Sequence, residues 1–243
     1  MRVVSFISPI VRVILFLMVV GAGGDSVFGK GIGARFKDEK KLTYDIFFNG
    51  IPSGYIEWMY LGRGELEGVA VDKLLVNSDT KILKLLNLTS MERVFLDSET
   101  HLPVKVERDI VFFGRKEVIS EVYNQDKGYV KIKRSNSKKT ESMLYQDKPI
   151  HNILELLYFF PQDVELEAGK WMIFNLPTQK VKIKMVRKRI LKIKGKKFDT
   201  FFLIGRGAKR FNLWLDIIEK IPLRLEFITL AGKVTILRKG EIK

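Results

Sequence analysis

The densest run of side chains able to bind an anion lies between Lys180 and Lys197. At the two-residue period of a strand, Lys180, Lys182, Lys184, Lys188, Lys192 and Lys194 share one face. Val181, Ile183, Met185, Leu191 and Ile193 share the other. The pattern breaks in the middle, where Arg187 and Arg189 fall on the apolar side, which points to a bend or hairpin there. A strand of this kind is half-buried with a basic wet side. Two readings fit. One is an anion-binding stripe for a phosphorylated lipid, a lipopolysaccharide-like amphiphile or a membrane surface. The other is a solvated face whose lysines discourage edge-to-edge pairing.

Other chemistry is scarce. There is no cysteine, so disulfides, thiolate metal sites, a cysteine nucleophile and a lipid-bearing N-terminal cysteine are all excluded. Two histidines, His101 and His151, stand alone, outside any metal-ligand spacing, and read as surface or loop residues. Glu155, Asp163 and Asp216 could serve acid–base work in pairs, but nothing in the sequence brings two of them together, and they read as solvated acids. No serine-hydrolase, zincin or phosphate-loop motif occurs. No cofactor and no metal are expected.

The elements that must position these residues are mostly strands. The chain alternates apolar and polar residues far more than it repeats at helical spacing. Asn49-Gly50 joins Leu42–Phe48 to Tyr55–Tyr60, and Gly114-Arg115 joins Val104–Phe113 to Lys116–Asn124. Tyr129–Lys133, Trp171–Leu176, Phe198–Gly205, Asn212–Asp216, Pro222–Leu230 and Lys233–Arg238 read likewise, and Ser135–Ser142 reads as a polar loop. Two stretches suggest short helices. One is 79–88, with Ile82, Leu85 and Leu86 at helical spacing. The other runs from Pro149 to Phe160, with Ile150, Ile153, Leu154, Leu157 and Tyr158 on one face and Pro161 as a stop. Eleven to thirteen strands joined by short turns imply a mainly β fold. The expected architecture is an antiparallel curved sheet, open barrel or sandwich, with the second helix against one side. The doublets Phe47-Phe48, Phe112-Phe113, Phe159-Phe160 and Phe201-Phe202 put one ring on each face of their strands. They fit either a thick core or a concave cavity for an apolar ligand.

Residues 1–29 read as a secretory signal peptide. Arg2 and Arg12 supply positive charge, Val13–Val20 is a short apolar core, and small residues follow, with cleavage after Gly24 or Gly29. An uncleaved anchor is the alternative, but a span long enough to cross would place Arg12 in mid-membrane, at roughly 2.5–3.5 kcal/mol. The body, 30–243, reads as one β-rich domain with no stable transmembrane anchor after cleavage. Removing the leader leaves 41 Lys and Arg against 27 Asp and Glu, so the basic excess belongs to the body. An exported, cysteine-free chain points to a bacterial periplasm or secretion. The high charge invites nucleic acid, but export and the lack of any recognition motif argue against it.

Three stretches carry a family resemblance. They are Leu42–Tyr55 with Gly50 and Gly54, Ile153–Phe160 followed by Leu166–Trp171, and Leu213–Asp216 followed by Lys220–Phe227 and Ala231–Leu237. In this order they resemble the exported bacterial proteins of domain of unknown function 3108, over about Leu42–Arg238. His151-Asn152 departs from the acidic residue that family often has ahead of its helix. The resemblance implies an exported β-rich protein and no catalytic residue. The expected function is therefore non-catalytic binding of an apolar or anionic amphiphilic envelope molecule. The alternatives are an assembly partner for an envelope protein, or an enzyme acting on envelope polymers or lipids.

Overall fold

The computed structural model describes residues 41–82, 86–158 and 166–239. The leader assigned to residues 1–29 and the Phe159-Phe160 doublet lie outside them, as does Asp163.

Fourteen strands form one antiparallel sheet. They are β1 (Lys41–Phe48), β2 (Ile51–Leu66), β3 (Val69–Ile82), β4 (Leu86–Asp97), β5 (Pro103–Phe112), β6 (Arg115–Asn124), β7 (Tyr129–Ser135), β8 (Lys139–Tyr145), β9 (Trp171–Leu176), β10 (Gln179–Ile193), β11 (Lys196–Arg206), β12 (Arg210–Asp216), β13 (Pro222–Thr229) and β14 (Gly232–Lys239). Every sequence neighbour pairs with the next within β1–β8 and within β9–β14, and β1 pairs with β14 to join the two runs. The sheet curls into an open barrel whose ends are β8 and β9.

The turns follow local chemistry. Asn49 and Gly50 both take positive φ, as a tight hairpin joining twisted strands requires. Gly54 sits where β2 crosses β3, and a side-chain carbon there would lie 2.0 Å from the Asp79 carbonyl oxygen. Only glycine fits that approach.

Alternation sorts the faces. Tyr44, Ile46, Trp58, Val76, Val94, Val106, Ile119, Val130, Leu203, Leu213, Leu225 and Ile236 point inward and are buried. Inside lies one short helix, α1 (Ile153–Tyr158), with Leu154, Glu155, Leu156, Leu157 and Tyr158 all buried. A helix buried on every side belongs inside a core rather than against its flank. Asn152 caps it: its Oδ1 accepts from the Leu154 amide at 2.8 Å. The Glu155 carboxylate reaches back to accept from the Asn152 amide at 3.1 Å. These two bonds complete a capping box that fixes where the helix starts.

Between β8 and β9 the barrel does not close by a strand ladder. The segment 146–152 passes along β9 instead. Ile150 forms an isolated parallel bridge with Asn175, and the Gln146 side-chain amide donates to the Pro177 carbonyl at 3.2 Å. Gln125 holds Ile150 from the other side, donating to its carbonyl at 2.8 Å and accepting from its amide at 3.0 Å. The side-chain amide of Asn175 is buried at this seam with no hydrogen-bond partner among the described residues.

Several expectations need correction. The helix expected over 79–88 is a hairpin: Asp79, Thr80, Lys81 and Ile82 pair with Thr89, Leu88, Asn87 and Leu86. Ten residues with three apolar positions do not separate the two periods, and inward-facing Thr80, held between Gly54 and Leu88, settles it as strand. The polar loop expected over Ser135–Ser142 contains the start of β8. That edge strand is exposed along nearly its whole length, so no apolar face marks it in the sequence. Among the described residues the strands number fourteen, one above the expected range, and the mainly β antiparallel curved sheet is as expected. Among the described residues α1 is the one α-helix, and it begins at Ile153, not Pro149.

Candidate functional site

The interior of the β1–β8 half holds charges that the alternation pattern carries inward. Val106, Arg108 and Ile110 face in together on β5, as do Ile119, Glu121 and Tyr123 on β6. Arg108 is 1% exposed. Its Nη1 donates to Glu121 Oε1 at 2.5 Å, and its Nη2 to Glu121 Oε2 at 3.3 Å. Glu92, its in-register partner on β4, lies 2.9 Å from Arg108 Nε, a charge contact without hydrogen-bond alignment. Tyr123 donates to Glu121 at 2.8 Å and accepts from the Asn152 side chain at 3.4 Å, which ties the cluster to the start of α1. One guanidinium can neutralise one carboxylate. Burial pushes the Glu92 carboxyl above the usual range, against the pull of Arg108 and with the push of Glu121. Burial thus shifts Glu92 toward its protonated form.

Glu92 also lines a cavity of about 80 Å³ between the sheet and α1. A single water needs roughly 10–15 Å³ on this measure, so there is room for more than one small group. The walls are Tyr44, Ile46, Ile56, Trp58 and Val76 on one side, Leu225, Phe227, Val234 and Ile236 on another, and Leu154 and Leu157 from α1. Its polar groups are few. Trp58 Nε1, Thr80 Oγ1 and both Glu92 oxygens are buried without a hydrogen-bond partner among the described residues. A buried polar atom left unpaired costs about 1–3 kcal/mol, which a ligand oxygen or an ordered water would relieve.

His151 and Glu155, expected at the surface, are both buried, with Nδ1 3.1 Å from Glu155 Oε2. Glu155 is held by the Asn152 amide in the capping box, and His151 immediately precedes that cap. His101 is partly buried, with Nε2 3.6 Å from Asp72, whose other oxygen accepts from Tyr60 at 2.6 Å. Asp216 accepts from the Ile218 and Glu219 amides in a turn. Among the described residues no three His, Asp or Glu side chains gather as metal ligands would.

The six lysines lie elsewhere, and none lines the cavity. β10 is one continuous strand, with a bulge between Met185 and Arg187 that shifts its register against β11 by one residue. Lys182 and Lys184 pair with Arg206 and Ile204, on the outer face, and Lys180 shares their phase. Beyond the bulge the phase inverts: Lys188 pairs with Phe201 and Lys192 with Lys197, on the opposite face, and Lys194 takes positive φ in the turn. The stripe expected on one face is therefore split. The same bulge brings Arg187 and Arg189, opposite Phe202 and Thr200, onto the outer face with Lys180, Lys182 and Lys184. Inserting one residue re-aims every side chain beyond it.

The sequence reading passed over Arg108, Glu92 and Glu121. The available signal was a charged residue in phase with apolar ones, such as Arg108 between Val106 and Ile110.

No family model matches the chain, and no curated protein matches it. Among solved structures it is similar to a β-barrel-like protein of domain of unknown function DUF1849 from Brucella abortus. The TM-score is 0.56 and the identity 9%, covering 82% of this chain and 94% of that one. At that identity the likeness concerns the fold alone, and the fold is that of a β-barrel-like protein.

Proposed function

We propose that this is an exported, non-catalytic envelope protein that holds the apolar part of an amphiphile inside its barrel. The observation that carries the reading is the cavity between the sheet and α1, walled almost wholly by aromatic and aliphatic side chains, with Trp58, Thr80 and Glu92 among the residues that line it. Apolar walls with a few convergent polar groups are the usual make-up of a small-molecule site. The Trp58 Nε1–H is a donor with no partner among the described residues, and burial shifts Glu92 toward its protonated form, so the favoured ligand is a chain bearing an oxygen acceptor, such as an ester, acid or alcohol. The leader-like N-terminus and the resemblance to domain of unknown function 3108 support export. Among the described residues no helix is long and apolar enough to cross a membrane.

Lipid extraction of the purified protein followed by mass spectrometry tests this. The expected result is a stoichiometric acyl or alcohol ligand whose retention falls in Trp58→Phe, which keeps the ring and loses the donor. A protein that carries no lipid, and takes up none when offered, ends the proposal. A second reading, an assembly partner bound by strand addition, draws on the exposed edge strand β8. A stoichiometric protein partner captured from envelope extracts, with no ligand present, would favour it.

A further inference from the structure

Residues 170–210 contain fourteen Lys and Arg and one Asp, a net +13 out of +15 for the whole chain. The β10 bulge gathers Lys180, Lys182, Lys184, Arg187 and Arg189 on the outer face, where Arg206 joins them from β11. Lys180 is bridged to Asp147 at 3.1 Å. Among the described residues no carboxylate lies within ion-pair distance of the other five. Aromatic rings lie between these cations. Trp171 has Lys184 Nζ 5.2 Å and Arg206 Cζ 5.0 Å from its centroid, and Arg189 lies 5.8 Å over Phe202. This face runs to the end of the sheet where the β11–β12, β13–β14 and β1–β2 hairpins turn side by side. There Ile228 is 72% exposed, Leu230 90% and Ile51 56%. Lys209, Arg210, Ile228 and Leu230 surround one concavity of about 640 Å³.

We infer that this outer face and its hairpin tips dock on an anionic bilayer surface, the cations meeting lipid phosphates while Ile51, Ile228 and Leu230 enter the interfacial layer. Clustered Lys and Arg draw a protein to anionic headgroups, and apolar side chains beside them add buried area. A lone exposed apolar residue needs no explanation. Three on two adjacent hairpin tips, β13–β14 and β1–β2, bordering the cationic face, favour a bilayer over nucleic acid, whose phosphate backbone offers nothing to Leu230. The inference is independent of the ligand cavity, which opens on the other face of the sheet.

Co-sedimentation of the chain, expressed with its own leader, with vesicles tests it. Phosphatidylglycerol vesicles should bind it about tenfold or more tightly than pure phosphatidylcholine vesicles, and added salt should weaken the binding. The combined variant Lys182→Glu, Arg187→Glu, Arg189→Glu should lose about tenfold or more. The milder pair Lys182→Gln, Arg189→Gln should lose less while keeping the parent's circular dichroism. Ile228→Ser with Leu230→Ser should weaken binding at unchanged charge. Lys131→Glu with Lys133→Glu, on β7, should leave it within about twofold. Equal binding to both vesicle types, or an equal loss in the β7 control, overturns the inference. So does an unaffected Ile228→Ser, Leu230→Ser variant whose binding short duplex DNA competes away. Vesicle binding can fail with lipid still in the cavity, and the reverse, so the two proposals fail separately.

Discussion

Two regions of this one sheet, β1–β8 and β9–β11, handle charge in opposite ways. Residues 41–145, which form β1–β8, hold sixteen Lys and Arg against fifteen Asp and Glu. Their cations meet acids across strands, as in Lys41–Glu57 at 2.7 Å, Lys116–Asp109 at 3.0 Å and Lys131–Glu141 at 2.7 Å. One arginine is even carried inside. In β9–β11 Phe174, Val181, Ile183 and Leu203 are buried on the inner face, and the cations on either side of the bulge stay against rings and water. The difference lies in register. Arg108 can be buried because Glu92 faces it across one ladder and Glu121 stands one diagonal away on the next strand. A guanidinium without such partners would face a desolvation cost of several kcal/mol. Among the described residues β10 meets acids only at Asp147, bridged to Lys180, and at Asp199, opposite Ile190, so most of its cations remain wet.

The sharpest way to break this comparison is to remove one arginine from each region. Arg108→Met leaves Glu92 and Glu121 facing each other in the interior, and should cost about 3–5 kcal/mol in urea unfolding. Arg189→Met should change stability by no more than about 0.5 kcal/mol. Similar losses at the two sites would erase the distinction. Leu203→Ala, in the apolar interior of the second region, should cost about 2–5 kcal/mol by opening a cavity, with no pH dependence of its own.

Glu92→Gln reads the buried charge of the first region by pH. Burial raises the folded carboxyl above its unfolded value of about 4.3, so folding binds a proton. The stability Glu92 contributes is full below that value and is lost as pH rises toward its folded pKa. Each pH unit crossed is worth about 1.4 kcal/mol. The variant should lack that slope, and parallel pH–stability curves for parent and variant would show that the Glu92 carboxyl titrates alike in the folded and unfolded chain. The smallest effect belongs to Lys182→Ala, which should move the urea midpoint within about ±0.5 kcal/mol at any pH.

Much of the fold was legible because antiparallel strands with one wet face alternate plainly. Tyr129–Lys133 and Lys180–Met185 show their inward residues in every second position. Three things hid. β8 buries almost nothing, so pairing through its backbone leaves no mark on side-chain type. The bulge at Val186 was visible as a broken alternation around Arg187 and Arg189. A broken alternation, however, fits a hairpin and a bulge alike, and the register against Phe202 and Leu203 decides between them. The interior cluster was hidden because Glu92, Arg108 and Glu121 come from three strands. Each alone looks like a stray charge, and the partners exist only once the ladders align. The helical face of α1 was legible, but its complete burial was not, because Glu155 reads as a solvated acid until it is seen capping Asn152.

The seam between β8 and β9 gives the barrel a weak point with a clock attached. Elsewhere the ladder is continuous, and opening it means breaking rows of backbone bonds at once. At the seam the hold among the described residues is one parallel bridge, a few side-chain amides, the exposed Lys180–Asp147 ion pair and the His151 amide donating to the Asn175 carbonyl. Local openings start where contacts are fewest. In hydrogen exchange, the amides of residues 146–151 should therefore turn over well before those of β1 and β14, which sit mid-sheet. Because this segment leads directly into α1, each such opening also loosens the inner wall of the barrel. The rate at which the interior empties and refills is then set by the breathing of about six residues, not by the stability of the whole sheet.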